Sequence, residues 1–241
     1  MFGHGHRSAM KRGGRWLASA LLDLLAPACC PGCGARLSTP HLPVCGACRR
    51  HLPRVSLDEV RDRLDRLPAA RGVFEGAFSL WRFDRGGRLQ RIQHTIKYGN
   101  RPFLARALGQ FMGHALPRSG LVLPPGILVL PVPLHRTRYL ERGYNQSAEL
   151  ALGVAAALRV PCRTDLLRRS RATRSQTRLN RTDRWANVDG AFTLVDAEAV
   201  AGRPLLLVDD VLTTGATVAA AAQCLREAPG TTLFLATLAL A

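Results

Sequence analysis

Two pairs of cysteines near the beginning of the sequence have the spacing of a metal site. Cys30 and Cys33 form one C-x2-C pair, and Cys45 and Cys48 form a second pair eleven residues later. Each pair brings two thiolates to one side of a tight turn, and four thiolates suit tetrahedral Zn²⁺. Because four protein ligands leave no position for water, the spacing predicts a structural zinc ribbon rather than a catalytic metal.

The choice of ligands leaves one alternative open. Cys29 could replace Cys30, although a three-residue spacer fits the turn less well than a two-residue spacer, and His41 and His51 are interpreted as surface residues. Five of the seven cysteines lie within residues 29–48. This odd and uneven distribution favours a metal site in a reducing compartment over a disulfide framework. We therefore predict a cytoplasmic protein.

A second cluster of reactive residues follows an apolar run that begins at Leu205. Asp209 and Asp210 close the run, and a turn opens the next predicted helix with Thr213, Thr214, Gly215, Ala216 and Thr217. Backbone amides and hydroxyls at a helix N-terminus favour a phosphate group. Two carboxylates repel phosphate, but they accept hydrogen bonds from neighbouring ribose hydroxyls, with a divalent cation nearby. The cluster predicts a phosphoribosyl site; a simple strand end and helix cap would explain only one carboxylate.

The elements that position these residues alternate between strands and helices from Gly72 onward. Several strands are apolar on both faces, which argues for a parallel sheet covered by helices. We predict an α/β parallel-sheet domain over residues 71–241, after a region over residues 1–70 with a leader, an amphipathic helix and the zinc ribbon. Strands are expected at residues 73–83 (as a hairpin or a bulged strand), 127–132, 191–195, 204–208 and 231–240, and helices at residues 57–67, 89–98, 103–116, 145–158 and 216–227.

The first 28 residues are similar to a secretion signal but do not meet all of its features. Leu17, Leu21, Leu24 and Leu25 have helical spacing, but Asp23 interrupts the apolar stretch. We therefore predict a short amphipathic helix that packs on the body of the protein. No apolar run in the sequence reaches 18 residues, so no membrane span is predicted.

The composition adds a strong positive charge to a globular pattern. The chain is 47% apolar, which excludes wholesale disorder, and its 34 basic and 17 acidic residues give a net charge of +17. Such a balance favours polyanionic partners such as nucleic acid or phosphorylated metabolites. Only Lys11 and Lys97 are lysines. Coding composition explains the preference for arginine, but not the excess of positive charge.

Several further segments, read together with the acidic pair, the T-T-G-x-T turn and the cysteine pairs, resemble a known family. The acidic pair and turn are similar to those of phosphoribosyltransferases that use 5-phosphoribosyl-1-pyrophosphate. With the N-terminal cysteines, the chain resembles the ComF family over residues 20–240, which implies that the domain at residues 71–241 is phosphoribosyltransferase-like. The segments are I-K-Y-G-N at residues 96–100, P-V-P-L-H at 131–135, E-R-G-Y-N-Q at 141–146 and R-x3-T-x2-Q at 169–176.

The resemblance implies a ligand and further site residues. It implies that the chain binds 5-phosphoribosyl-1-pyrophosphate, or ribose 5-phosphate, with Mg²⁺, and that Asp209 and Asp210 take part in glycosyl transfer. The loop after the first core strand would bind pyrophosphate, and a basic loop containing Arg169 would close over it. The pyrophosphate-loop residues are Val132, Pro133, His135 and Arg136. The family is also connected with DNA uptake during natural competence.

Two classes of function compete. The intact acidic pair and turn favour an enzyme, a magnesium-dependent phosphoribosyltransferase with a structural zinc ribbon. The positive charge favours a non-catalytic competence accessory protein whose ribbon and arginines hold single-stranded DNA or a DNA helicase. Residues 163–184 carry eight arginines against two aspartates. Because the chain continues for only one strand after the phosphate turn, we expect no C-terminal hood, and the acceptor of an enzyme stays open.

Overall fold

A four-stranded parallel sheet forms the centre of the protein in the computed structural model, which describes residues 28–39, 42–170 and 190–241. The strand order is β1–β6–β5–β2, and a separate antiparallel pair joins β3 to β4. The strands are β1 (Gly76–Arg82), β2 (Leu128–Pro131), β3 (Leu167–Arg169), β4 (Phe192–Leu194), β5 (Pro204–Leu212) and β6 (Thr232–Leu240). The helices are α1 (Gly46–His51), α2 (Leu57–Asp65), α3 (Arg88–Tyr98), α4 (Pro102–Ala115), α5 (Arg136–Arg142), α6 (Gln146–Leu158) and α7 (Ala216–Leu225), with a 3-10 turn at Pro117–Ser119.

Both faces of the sheet are buried, as alternate residues of β5 show. Leu205 and Leu207 contribute to a core that includes residues of α2 and α7, whereas Leu206 and Val208 contribute to a core that includes residues of α3, α4 and α6. Burial on both faces explains why the strands read as continuous apolar runs. The α/β parallel-sheet class predicted from the sequence is confirmed.

Helices α4 and α6 approach closely because glycines line their contact. A Cβ atom on Gly109 would lie 2.1 Å from the carbonyl oxygen of Leu150, and a Cβ atom on Gly153 would lie 2.1 Å from that of Arg106. These distances are shorter than any van der Waals contact. The backbones therefore pack against each other directly, which no larger residue at either position would allow.

The cysteine region packs against the helices rather than standing apart. Arg91 of α3 donates from Nε to the carbonyl oxygen of Gly32 (2.8 Å). A Cβ atom on Gly32 would lie 3.1 Å from Cys48 Sγ and 3.3 Å from Ile92. Cys48 and Ile92 belong to the same buried core. The boundary near residue 70 stays a prediction, but the residues on its two sides share one apolar core.

Two predicted strands differ from the observed ones. Within residues 73–83, Gly76–Arg82 form a single strand, β1, that pairs parallel with β6, so the hairpin alternative is wrong and the single-strand alternative holds. Gly76 does not form a turn. It leaves room for Leu121, whose Cδ1 would lie 2.4 Å from a Cβ atom added at Gly76. The strand predicted at residues 204–208 continues to Leu212, because its pairing with β6 extends to Leu240. The acidic pair therefore lies inside β5 and not after it.

The helices predicted at residues 89–98, 103–116, 145–158 and 216–227 are confirmed within one or two residues. Helices α1 and α5 were not predicted. Within the described residues, no helix combines the length and the apolar character needed to cross a bilayer. The predicted helix around Leu17, the interpretation of His41 and most of the arginine-rich stretch after Arg169 concern residues outside the described ranges.

Candidate functional site

The four predicted cysteine ligands lie together in the structure. The Sγ atoms of Cys30, Cys33, Cys45 and Cys48 are all within 4.8 Å of one another, and those of Cys33 and Cys45 are 3.6 Å apart. Tetrahedral zinc with Zn–S bonds of about 2.3 Å requires sulfur–sulfur distances of about 3.8 Å. The cluster therefore fits a zinc ion. It contains Cys30, whereas the exposed Cys29 pairs with Arg36 through a backbone bridge.

The environments of the thiols differ along the cluster. Cys45 precedes α1, and the hydrogen bond from the backbone N–H of Cys48 lowers the pKa of the Cys45 thiol to about 7. Burial raises the pKa of the Cys48 thiol above its ordinary value. A bound divalent cation would hold all four thiols as thiolates, because coordination removes the proton outright.

The acidic pair lies beside the loop that leaves β2. Pro131 is paired with Val208, and the backbone N–H of Val132 donates to the carbonyl oxygen of Val208 (2.9 Å). Asp209 is the next residue of β5, opposite Thr237 of β6. The topology therefore brings the predicted pyrophosphate loop and the acidic pair to the same edge of the sheet.

Each carboxylate has its own hydrogen-bond partners. Asp209 Oδ1 accepts from Ser147 Oγ and from the backbone N–H of Asp210, both at 2.8 Å. Asp210 Oδ2 accepts from Lys97 Nζ at 2.8 Å and from Gln93 Nε2 at 3.2 Å. Both aspartates are less than one tenth exposed. Helix α6 thus holds the side chain of Asp209, and helix α3 holds the side chain of Asp210.

These contacts make the two aspartates different acids. Burial, together with the charge of Asp210, raises the pKa of Asp209 above its ordinary value. Burial also raises the pKa of Asp210, but the ammonium of Lys97 and the amide of Gln93 outweigh that effect, so its pKa lies below the ordinary value. Near neutral pH the pair therefore carries less than two full negative charges, which weakens its repulsion of an anionic ligand.

The predicted phosphate turn opens helix α7. Gly215 has a φ of +73° as the residue before the helix, and Ala216 and Thr217 begin the first turn. The carbonyl oxygen of Thr213 accepts from Arg63 Nη1 (3.2 Å). Among the described residues, the buried Oγ1 of Thr214 has no hydrogen-bond partner. A helix N-terminus with an unsatisfied hydroxyl beside it has the chemistry of an anion site.

The loop after β2 is anchored at both ends. The side chain of Asn145 donates to the carbonyl oxygen of Val132 (3.2 Å), and the Nδ1 atom of His135 accepts from the backbone N–H of Thr137 (3.3 Å). Pro133 lies between these anchors, and Arg136 begins α5 as an exposed residue. The structure thus places all four predicted loop residues together, and their assignment to pyrophosphate stays a prediction.

Arg169 ends β3 and lies near the acidic pair. Its guanidinium is 5.3 Å from the ring centroid of Phe192. Burial lowers the pKa of Arg169, and the charge of Asp209 opposes that shift, which places the two groups within electrostatic reach of each other. The remainder of the predicted closing loop lies outside the described residues.

Sequence reasoning missed the partners of the carboxylates. Gln93, Lys97 and Ser147 hold the acidic pair, but none of them was predicted as a site residue. One signal was available, since Lys97 belongs to the I-K-Y-G-N segment and is one of two lysines against 32 arginines. A lysine in so arginine-rich a chain marks a position that requires a compact point charge.

Comparison with curated proteins gives clear relatives. The chain is 34% identical over 200 residues to the DNA utilization protein YhgH of Escherichia coli O157:H7, covering 81% of this chain and 77% of that protein. The YhgH protein of Salmonella typhimurium is 32% identical over the same coverage. Competence protein F of Haemophilus influenzae is 34% identical over 140 residues, 58% of this chain and 60% of that protein. No family model matches the chain.

Solved structures show a weaker likeness. The glutamine phosphoribosylpyrophosphate amidotransferase of B. subtilis has 19% identity and a TM-score of 0.40, covering 60% of this chain and 30% of that one. The adenine phosphoribosyltransferase of Leishmania tarentolae has 13% identity and a TM-score of 0.33, covering 68% and 91%. Scores this low carry no argument about function. The sequence relatives are sufficient for the assignment, and the chain belongs to the ComF family.

Proposed function

We propose that the protein binds 5-phosphoribosyl-1-pyrophosphate with Mg²⁺ as a phosphoribosyltransferase-like protein, and that it acts in DNA uptake during natural competence. The role in DNA uptake rests on relatives named for DNA utilization and competence. The ligand rests on one observation above the others. Two buried carboxylates, held by Lys97 and Ser147, lie a few residues before a helix N-terminus whose threonine hydroxyl has no hydrogen-bond partner in the described part of the chain.

The arrangement suits a sugar phosphate. The turn at residues 213–217 would hold the 5-phosphate, and the ribose hydroxyls would donate to Asp209 Oδ2 and Asp210 Oδ1, which receive no hydrogen bond from the described residues. Mg²⁺ binds through one or two carboxylates together with phosphate oxygens, so it would enter with the ligand. Positive charge from Arg169 would stabilise pyrophosphate as it leaves.

Calorimetric titration with ribose 5-phosphate and with 5-phosphoribosyl-1-pyrophosphate in Mg²⁺ tests this proposal. Replacing both aspartates by asparagine should weaken binding, since each hydrogen bond to a charged group contributes about 1.5–3 kcal/mol. Thr214→Val should weaken ribose 5-phosphate binding as well. Asp165→Asn, at an exposed aspartate paired with Arg163, is the matched control and should have no effect. Equal affinities for wild type and the double variant would contradict the proposal.

Turnover is a separate measurement. In the enzymatic form of the proposal, the protein releases pyrophosphate when it is given 5-phosphoribosyl-1-pyrophosphate and a suitable acceptor. A panel of bases, with and without single-stranded DNA, would identify that acceptor. Binding without release for every acceptor would leave a ligand-sensing protein in place of an enzyme.

A second candidate function is a non-catalytic accessory protein that binds single-stranded DNA or a DNA helicase. A cluster of cations and aromatic rings beside the cysteine region favours it. The guanidinium groups of Arg49 and Arg54 each lie 5.5 Å from the ring centroid of Phe111, which stacks on Trp81 at 5.6 Å. The exposed Arg49 and Arg54 would bind the phosphates of a single strand, whereas the fully buried Trp81 only supports Phe111 beneath them.

Fluorescence anisotropy with a labelled single strand tests the second candidate. Arg49→Gln with Arg54→Gln should lower the affinity and make its salt dependence less steep, because fewer phosphates are bound by the protein. The log–log slope should change by about 0.7 for each phosphate that is no longer bound. Arg203→Gln, at the exposed residue that precedes β5, is the control. Undetectable binding at low salt would leave a protein partner as the route to DNA.

The cysteine cluster would hold one structural zinc ion. We infer this from four thiols whose spacing leaves no position for water. The number and spacing of the cysteines, which suit a metal site better than a disulfide framework, also support the predicted cytoplasmic location.

A further inference from the structure

Helix α3 contacts both the cysteine cluster and the acidic pair. Arg91 donates from Nε to the carbonyl oxygen of Gly32, the residue just before the predicted zinc ligand Cys33. Six residues later on the same helix, Lys97 donates to Asp210. At a rise of 1.5 Å per residue, the two contacts lie about 9 Å apart along the helix axis. One short helix therefore connects the cysteine cluster with the proposed sugar-phosphate site.

The cysteine end of this connection is closely packed. A Cβ atom added at Gly32 would lie 3.1 Å from Cys48 Sγ and 3.3 Å from Ile92 Cδ1, so the turn lies directly against α3. The ligands Cys30 and Cys48 are buried in the same apolar core as Ile92. The position of the first C-x2-C turn and the position of α3 are therefore tied to each other by packing as well as by the hydrogen bond.

The other end of α3 holds the acidic pair through two side chains. Gln93 and Lys97 both donate to Asp210 Oδ2, and this aspartate is less than one tenth exposed. Ile96, between them on the helix, is fully buried, and its carbonyl oxygen accepts from the hydroxyl of Tyr144. A shift or rotation of α3 would therefore move both donors of this carboxylate at once.

A zinc ion would determine how firmly the cysteine end of α3 is held. Binding of a structural zinc ion contributes directly to the free energy of folding of the turns that carry its ligands. Without the ion, the two C-x2-C turns would no longer be fixed to each other, and Arg91 would lose a rigid acceptor in Gly32. The helix would then be fixed at both ends in a zinc-loaded form and at its Lys97 end in a zinc-free form.

We propose that zinc bound at the cysteine cluster regulates sugar-phosphate binding at the acidic pair through α3, and this inference rests on the proposed function. In the zinc-loaded form, Gln93 and Lys97 keep Asp210 oriented toward a ribose hydroxyl. In the zinc-free form, that orientation is lost and the affinity for the ligand falls. Because such coupling is reciprocal, the sugar phosphate raises the affinity for zinc by the same factor.

Two measurements on the whole chain test both directions of this coupling. In calorimetric titrations, ribose 5-phosphate should bind about tenfold more weakly to protein stripped of zinc by a chelator, which is then removed, than to zinc-loaded protein. Added Zn²⁺ should restore the affinity. In the reverse direction, saturating ribose 5-phosphate should raise the affinity of the protein for zinc about tenfold, measured by competition with a chromophoric chelator. Circular dichroism establishes whether the stripped protein stays folded.

A variant of α3 tests the connection in zinc-loaded protein, where unfolding of the stripped form has no influence. Arg91→Gln keeps all four cysteines but removes the hydrogen bond to Gly32, and it should weaken ribose 5-phosphate binding about threefold. Arg85→Gln is the matched control, because it removes the same charge from the exposed turn before α3. It should leave the affinity unchanged.

The outcomes separate this inference from the proposed function. Equal affinities of folded zinc-loaded and zinc-free protein, or wild-type affinity in zinc-loaded Arg91→Gln, would overturn the coupling, while ribose 5-phosphate binding itself would uphold the proposed function. Failure of the zinc-loaded wild type to bind ribose 5-phosphate would overturn both.

Discussion

Asp209 and Asp210 are neighbours in sequence, yet their surroundings give them opposite properties. Lys97 neutralises Asp210 at 2.8 Å, whereas Asp209 is buried beside that charge without a cation at contact distance in the described residues. The raised pKa of Asp209 means that the folded protein retains a proton that the unfolded chain releases. This difference links the acidic pair to the stability of the fold.

We predict that the Asp209 carboxyl makes the protein less stable as the pH rises. Between the ordinary pKa of an aspartate and the raised pKa of Asp209, the folded state binds more protons, so the free energy of unfolding falls with pH. The decrease is about 1.4 kcal/mol for each unit by which the pKa is raised. Asp209→Asn should flatten this dependence in urea denaturation curves recorded between about pH 5 and pH 8.

Asp165→Asn serves as the control for this experiment. The hydrogen bond from Arg163 lowers the pKa of Asp165 to about 2, so this carboxyl is ionised throughout the measured range. Its replacement should leave the slope with pH unchanged. An Asp209→Asn protein with the same slope as the wild type would contradict the raised pKa.

The type of chemistry at this site could be predicted from the sequence, but its electrostatic balance could not. Two adjacent carboxylates before a T-T-G-x-T turn indicate hydroxyl and phosphate ligands by residue type alone. The role of Lys97 depends on where α3 lies, because Lys97 and Asp210 are 113 positions apart and meet only when α3 packs over the edge of β5. No local pattern carries that information.

At the scale of elements, the closest packing in the described structure joins α4 to α6. Apolar periodicity predicted both helices, since Leu108, Met112, Leu150 and Val154 repeat at helical spacing and are buried. The same periodicity says nothing about which helices touch. The glycines at the contact, which lower helix propensity, could only be interpreted once both backbones were placed.

We predict that Gly109→Ala destabilises the protein although alanine favours helices. The added methyl group would lie 2.1 Å from the carbonyl oxygen of Leu150, so the two helices must separate. Overpacking of this kind costs about 1–3 kcal/mol or more in the free energy of unfolding, measured by urea denaturation. Gln110→Ala, at the exposed position next to it, should change the stability little. A Gly109→Ala protein as stable as the wild type would show that the helices separate freely.

Helix α5 and the end of β5 show where the sequence patterns fail at this scale. The R-T-R-Y-L-E-R segment of α5 has no buried residue, so no apolar face predicted it. In the sequence, two adjacent carboxylates indicate the end of a strand. Strand β5 nevertheless continues through Asp209 and Asp210, because β6 pairs with it. Both failures arise where an element depends on its neighbours rather than on its own apolar pattern.

For the cysteine region, we predict one zinc ion per chain that depends on Cys30 and not on Cys29. Cys30→Ser should lose the metal, because Cys30 Sγ belongs to the cluster, and Cys29→Ser should retain it. Metal analysis of both proteins, purified without chelator, measures the difference. Since Cys48 packs in the same core as Trp81, metal loss should also lower the melting temperature of the whole protein. Zinc retained in Cys30→Ser would contradict the assignment.

For the whole molecule, the net charge of +17 is spread over more than one surface. Arg49 and Arg54 lie with Phe111 beside the cysteine region, whereas Arg142 and Arg169 lie near the acidic pair. Anions could thus bind at two places with different chemistry. A high positive charge by itself does not distinguish between them, since it attracts every polyanion.

We predict that single-stranded DNA and 5-phosphoribosyl-1-pyrophosphate bind independently. If DNA binds at Arg49 and Arg54, saturating 5-phosphoribosyl-1-pyrophosphate should leave its affinity unchanged at constant ionic strength, because the two sites do not share residues. Titration of a labelled strand with and without the ligand measures this. Inorganic pyrophosphate at equal ionic strength is the control. Competition between the two ligands would instead place DNA at the arginines near the acidic pair.

The position of β6 in the sheet has a consequence for how the chain folds during synthesis. β6 spans Thr232–Leu240 and lies between β1 and β5, so those two strands have no direct contact in the sheet. On the ribosome, β1, β2 and β5 are all synthesised before β6, the strand that joins β1 to β5. The nascent chain therefore exposes two apolar strand edges until residues 232–240 emerge, and a chaperone that shields such edges would act on this protein at that stage.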